Sequence, residues 1–161
     1  LYLWTANTGA WPPAGTVLPA IEWPVAGMAL YVAGSAVIDI AGLALARTPA
    51  RSSWPLRVAL VLAILIPIGG VAAQLYGTWQ TGLRPDASAY GAAVYTFIAL
   101  QGFFVAVIAI MGLYTLARSL CGMLNGVRRA TFENTMLMWH YTTAQGIVGI
   151  AISTFFPWLT G

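Results

Sequence analysis

Five polar side chains stand inside or at the edge of long apolar runs, and their types bound the chemistry open to this chain: Asp39, Gln74, Gln101, Glu133 and His140. A carboxylate inside a membrane-length apolar segment costs a few kcal/mol and is by default a functional hypothesis. Asp39 lies about two turns from the end of its segment. Three states are open to it: protonation, contact with a water-filled cleft, or pairing with an Arg of another subunit. A functional role and a tolerated interface position weigh equally for it. Gln74 and Gln101 lie deep in apolar helices, where an amide bridges neighbouring helices by hydrogen bonding. Glu133 and His140 are seven residues apart, almost two helical turns, which puts them on one face about 10 Å apart along the axis. Glu133 stands at the start of its helix, where a negative charge suits the helix dipole, with Thr131 as the expected N-cap. His140 sits about one turn deeper, within reach of a neighbouring helix or a lipid headgroup.

What is missing narrows the chemistry further. The chain has one His and one Cys, Cys121. It therefore has no ligand set of its own for zinc, haem or copper, and no intrachain disulfide. No nucleophile has a base at readable spacing, and there is no glycine-rich phosphate loop. Catalytic, cofactor-binding and metal-binding residues are accordingly expected to be none. The five polar residues are candidates for lipid or interhelix polar contacts.

The elements that must position them follow from composition. Of 161 residues, 60% are hydrophobic and 7% charged, and the mean hydropathy is +0.80. Soluble domains carry about 25% charged residues, so this composition cannot cover a water-facing surface. Seven Arg, no Lys and four acidic residues also fall short of the clustered basic face that nucleic acid needs. A span requires about 20 apolar residues, and four stretches qualify: Pro24 to Ala46, Val58 to Trp79, Tyr90 to Ala117, and Thr135 to Trp158. The connections hold the turn residues Pro49 and Pro55, then Gly82 and Pro85, then Gly122, Asn125 and Gly126, where a hairpin series of helices needs them. A β-barrel is excluded, because the apolar runs are continuous rather than alternating. The expectation is an all-α, integral membrane four-helix bundle over residues 24–161. It is preceded by an extended, Trp- and Pro-rich interfacial lead-in over residues 1–23, with Trp4, Trp11 and Trp23 suited to the headgroup region. A signal peptide is not supported, since the start lacks a basic region and Pro12-Pro13 interrupts the apolar one.

Orientation and packing come next. Arg47, Arg51 and Arg57 flank the first connection and Arg118, Arg128 and Arg129 the third, whereas the second has Arg84 beside Asp86. The positive-inside rule then puts the first and third connections in the cytoplasm and both termini of this segment outside. Close helix contacts are expected at Gly69, Ala73 and Gly77, and at Gly146, Gly149 and Ser153. Pro67 should kink the second helix and free the carbonyl of Ala63.

Several segments in order resemble one family. They are Trp11-Pro12-Pro13-Ala14-Gly15, then Ser88-Ala89-Tyr90-Gly91-Ala92-Ala93-Val94-Tyr95, then Gln101-Gly102, and Phe132-Glu133 followed by Trp139-His140. Together they are similar to subunit III of haem-copper oxidases, specifically cytochrome c oxidase. That family has a Trp-Pro-Pro-x-Gly segment before its fourth helix, a Tyr-Gly-Ser-like start to its sixth, and Phe-Glu then Trp-His on its seventh. The resemblance covers nearly the whole chain, as the last four of seven helices. Each motif alone is weak; their colinearity is specific. Departures are also present. The family's Gly-Phe-His-Gly-Leu-His run is here Ala99-Leu100-Gln101-Gly102-Phe103-Phe104, its Gln-Ala-Ser-Glu is Gln74-Leu75-Tyr76-Gly77, and the Asp after Trp-His is Thr143. They mark a divergent branch.

The resemblance implies a non-catalytic subunit of a proton-pumping terminal oxidase in a bacterial inner membrane, part of a respiratory electron-transport chain. It would stabilise the catalytic subunit, hold phospholipid and support proton uptake. The partners implied are oxidase subunits I and II, with haem and copper in those partners and none here. A complete seven-helix member would have roughly a hundred residues more, at about 20 per span plus connections. The chain is then expected to be part of a longer polypeptide or the tail of a fused subunit I and III. Two alternatives stay open: a subunit III-like component of a quinol oxidase or nitric oxide reductase, and an independent four-helix carrier with Asp39 and Gln74 lining a path.

Overall fold

The computed structural model describes residues 12–47, 54–125 and 127–160; Trp4, Trp11, Arg51 and Gly126 lie outside them. Four long helices follow one another: α1, Glu22–Arg47; α2, Trp54–Gln80; α3, Ala89–Leu120; and α4, Ala130–Ile150. The last continues through a π-helical turn, Ala151–Phe155, into a short α5, Phe156–Thr160. No strand occurs among the described residues. α1 packs on α2, α2 on α3, α3 on α4, and α4 back on α1, which closes a four-helix ring. Neighbours run antiparallel: α1 positions 31, 35 and 39 meet α4 positions 143, 140 and 140, and α3 positions 90, 101 and 115 meet 153, 142 and 135.

Each helix starts and stops for local reasons. Pro24 and Pro55 fall in first turns, where the missing amide has no helical partner to lose. Ser88 caps α3, its Oγ accepting from the Gly91 amide at 3.0 Å. α3 ends on Gly122 at φ +70°, with the Met123 amide donating to the Arg118 carbonyl and that of Gly122 to Ser119, the two bonds of a glycine-terminated helix. Thr131 does not cap α4. That helix begins earlier than expected, at Ala130; Arg129 precedes it without a side-chain cap bond, and Thr131 lies in the first turn. The connection is instead organised by Asn125, whose Oδ1 accepts from the amides of Val127 and Arg128.

The described part of the lead-in is not extended throughout. Thr16 donates from both its amide and its hydroxyl to the Pro13 carbonyl, and Gly15 takes φ +84°. The turn brings Leu18 against Tyr90, Val94 and Ile98 at the end of the bundle. Trp23 packs its ring edge against Tyr76, with centroids 4.7 Å apart.

Among the described residues three helices, α1, α2 and α3, are long and apolar enough to cross a membrane. The sequence-based expectation of four spans is met for these three. α4 falls below that apolarity because Glu133, His140 and several Thr sit along it. Two of its hydroxyls back-bond within the helix: Thr135 donates to the Thr131 carbonyl and Thr142 to Met138, the four-residue bond open to helical threonines. Large apolar side chains cover the outside, Leu137, Ile110, Phe103 and Ile40 among them. A surface with so many large apolar side chains is compatible with a membrane environment.

The interior divides into layers. Near the end where α1 and α3 finish, Ile38, Leu45, Leu56, Leu60, Ile108, Phe132 and Trp139 form an apolar cluster. Trp139 fits there because Gly112 faces it: a Cβ at Gly112 would stand 3.0 Å from the indole and 2.8 Å from Ile64. Above this lies a polar layer around Tyr31. Pro67 of α2 packs its ring on Gly34, where a Cβ would come within 2.9 Å.

Candidate functional site

Tyr31, Ser35 and Asp39 recur every fourth residue of α1, so they share one face, and that face meets α4. His140 lies between the last two. Its Nδ1 is 2.7 Å from Ser35 Oγ and its Nε2 is 3.0 Å from Asp39 Oδ1. An ionised carboxylate only accepts, so Nε2 carries the proton toward Asp39. Nδ1 and the Ser35 hydroxyl share the second bond, whose donor is set by the protonation of the ring. Asp39 thus has a partner within the chain. Ser35 is buried, while the side chains of Asp39 and His140 are 49% and 43% exposed; the clasp is open on one side.

Asp39 also lines a groove of about 460 Å³ between α1 and α4. Asp39 lies at one end and Arg129 with Glu133 at the other, with Gly42, Ala46 and Met136 between. Glu133 pairs with Arg129 one turn earlier, at 2.8 Å. It does not meet His140, although both lie on the α1-facing side of α4. Gly42 lets the groove floor close up, since a Cβ there would stand 3.1 Å from the Phe132 ring.

A serine, a histidine and an aspartate in line resemble a nucleophile, its base and an orienting acid. This array cannot act that way. Ser35 is mid-helix, its surrounding amides are consumed by α1, and no pair of free N–H donors faces it to hold an oxyanion. Among the described residues no group of three or more His, Cys, Asp or Glu could hold a metal ion.

The two glutamines belong to the enclosed layer. Gln74 of α2 donates from Nε2 to the Tyr31 hydroxyl. Gln101 of α3, 2% exposed, donates to the Thr142 carbonyl of α4 at 3.3 Å. Thr143 donates to the Tyr31 carbonyl at 3.2 Å. Two glycines make room: a Cβ at Gly70 would come within 2.6 Å of the Tyr31 ring, and one at Gly146 within 2.5 Å of Gln101 Nε2 and 3.0 Å of Tyr31. The expected contact stripe is shifted accordingly. Gly70 rather than Gly69 makes the close approach on α2, joined by Gly77 against Trp23, while Gly149 has only an ordinary contact.

The two ends of the bundle differ in charge. Arg47, Arg57, Arg118, Arg128 and Arg129 lie at the end where α1 and α3 finish and α2 and α4 begin. Arg57 donates to the Ser119 carbonyl, and Arg118 lies 5.9 Å over the Tyr114 ring. At the other end Arg84 and Asp86 form a two-pronged pair at 3.0 and 2.7 Å. The guanidinium holds the Asp86 carboxyl below the usual carboxylate range, and the carboxylate raises Arg84 in turn. The π-helical turn also serves this end, since the Ser153 carbonyl accepts from Tyr90 Oη at 2.8 Å.

Sequence reasoning missed Ser35 and Tyr31. Their four-residue spacing from Asp39 was the available signal, a polar stripe on an otherwise apolar helix. No family model matches this chain, and no curated protein matches it.

Proposed function

We propose that this chain is a non-catalytic, membrane-embedded subunit of a proton-pumping terminal oxidase, of the kind subunit III represents in cytochrome c oxidase. One observation carries the reading: several of the residues that bear the resemblance are spent on joining helices. Phe132 and Trp139 are fully buried, Tyr90 bonds across to the Ser153 carbonyl, Gln101 to Thr142, and His140 to Ser35 and Asp39. Motif residues used this way suit a subunit whose work is to pack, hold lipid on its apolar faces and stabilise a catalytic neighbour. In this reading α4 crosses the bilayer with the other three, with Thr135 and Thr142 turned into the bundle. The arginine-bearing end faces the cytoplasm by the positive-inside rule, and both termini of the segment face outward. Haem and copper reside in the partner subunits.

The test is the subunit list and visible spectrum of the native complex. The chain is expected to co-purify with a haem-containing partner, and His140→Leu or Glu133→Leu to weaken its retention without altering the haem spectrum. A shifted haem spectrum in either variant would refute the structural role. Recovery of the chain as a haem-free homo-oligomer that moves solute in liposomes would replace the whole reading with that of a carrier.

A further inference from the structure

A small cavity lies in the bundle at the end away from the arginines. Its volume is about 10 Å³, and Gln74 and Thr78 of α2 line it together with Ile150, Ser153 and Thr154 from the end of α4 and its π-helical turn. Two of these side chains depart from the pattern of the other buried threonines. Thr115, Thr135 and Thr142 return their hydroxyls to the carbonyl four residues back, a bond open to any helical threonine. Thr78 is 4% exposed and makes no such bond. Among the described residues only its carbonyl is engaged, by the amide and hydroxyl of Thr81. Thr154 is 7% exposed, and its hydroxyl has one distant neighbour, Ser153 Oγ at 3.5 Å. Gln74 adds an acceptor, because its Nε2 is given to Tyr31 and its Oε1 is left over.

The π-helical turn is what brings Thr154 to this cavity. Buried positions on α4 follow one another at 132, 135, 139, 142, 146 and 149, a stripe that a regular helix would extend to 153. The Phe156 amide instead reaches back five residues to the Ala151 carbonyl. The residue gained in that turn leaves Ser153 partly exposed and buries Thr154. Single π turns inside α-helices are frequent at functional sites. Here the turn serves a gap in the architecture, since α2 and α4 stand diagonally across the ring. We propose that one ordered water occupies the cavity and ties α2 to the end of α4. It accepts from the Thr78 and Thr154 hydroxyls and donates to Gln74 Oε1 and Ser153 Oγ. The volume suits a single water, and these groups supply the two to four polar partners that a buried water needs. No carboxylate lines the cavity, so its neutral mixture of donors and acceptors suits water better than a cation.

This inference rests on the packing of the bundle and not on the oxidase assignment, and its test needs no partner subunit. The full chain in its membrane is exposed to a short X-ray pulse, which splits water into hydroxyl radicals that oxidise the side chains beside it. Ile150 and Ile108 are the same residue type at the same 2% exposure. Ile150 lines the cavity, whereas Ile108 belongs to the apolar cluster. Ile150 is expected to be oxidised at least about threefold faster than Ile108, because a water is held beside it. Equal rates overturn the site. The paired variant Thr78→Val and Thr154→Val keeps the shape of both side chains and removes both hydroxyls, and it should bring Ile150 down to the rate of Ile108. Thr78→Ser with Thr154→Ser should keep the faster rate. Fast oxidation of Ile150 that persists in the valine variant overturns the ordered water in favour of bulk water passing through. A fast rate that is lost when sodium replaces choline in the buffer overturns it in favour of a bound cation. An unfolded valine variant would show itself by a rise at Ile108, and the comparison of the two isoleucines in the unaltered chain then decides alone.

Discussion

Two polar clusters about two turns apart on α1 use similar side chains to opposite ends. Around Tyr31 the hydrogen bonds to Gln74 and Thr143 sit in a layer with a ring 1% exposed, walled by Gly70 and Gly146. Around Asp39 the bonds are as short, 2.7 and 3.0 Å, but Asp39 and His140 are roughly half-exposed. The difference teaches that enclosure, not bond length, decides what a polar contact between membrane helices does. An enclosed bond has no competing partner, so its loss is felt as stability. An open one is screened by whatever fills the space beside it, so its loss costs less.

The contrast can be broken most directly at the glycines. Gly70→Ala drives a methyl group to within 2.6 Å of a Tyr31 ring that has no room to swing, and overpacking of this kind costs about 1–3 kcal/mol. Denaturant titration of the full chain in micelles should show that loss, and an unchanged midpoint would mean the layer is looser than described. Next in size is Tyr31→Phe, which leaves the Gln74 amide unpaired. Measured interhelical bonds in membrane proteins average about 0.6 and reach about 1.7 kcal/mol, and the upper part of that range is expected here. A double-mutant cycle with Gln74→Leu should return most of it as coupling energy.

His140→Leu and Asp39→Asn should each cost less, below about 1 kcal/mol, because the pair is roughly half-exposed and solvent screening discounts it. If either proves costlier than Tyr31→Phe in the same assay, the distinction between the enclosed and the open cluster fails. The smallest effect belongs to the fully exposed Arg84–Asp86 pair. The folded-state value of Asp86 is lowered, so any stability it adds is present above the ordinary carboxylate range and is lost as the pH falls through the lowered value. The lifted Arg84 loses its partner in that same acidic window. Arg84→Ala should leave the melting temperature at neutral pH unchanged, and a resolved shift there would show that this pair is not free of the bundle.

Much of the architecture is legible in the residues themselves. Helix ends marked by Ser88 and Gly122 stand where a serine cap and a positive-φ glycine put them, and the gathering of arginines at one end follows from counting them between apolar runs. Thr131 shows the limit. A threonine before an acidic residue is a fair N-cap, but Asn125 captured the amides of the connection first, and the helix started one residue ahead of Thr131. Gly69 shows another. Adjacent residues on a helix differ by about 100° in direction, so whether Gly69 or Gly70 meets α1 depends on the rotation of α2, which its own sequence leaves nearly free when apolar residues surround it on every side.

The candidate site divides in the same way. That Asp39, Gln74, Gln101, Glu133 and His140 matter, and that Glu133 and His140 share a face, can be read from polarity and period. That Asp39 belongs to His140, 101 positions away, cannot. Hydrophobicity is a property of each residue, summed along the chain, so the sequence by itself determined the long apolar helices, their breaks and the charge difference between their ends. Partnership is a property of two helices at a particular rotation and depth. In a surface with little hydrophobic preference between lipid and apolar neighbours, close glycine contacts and a few hydrogen bonds decide that rotation. Only the assembled bundle therefore decided that Gln74 is enclosed with Tyr31, and that Ser35, His140 and Asp39 meet, with Asp39 at the wall of an open groove.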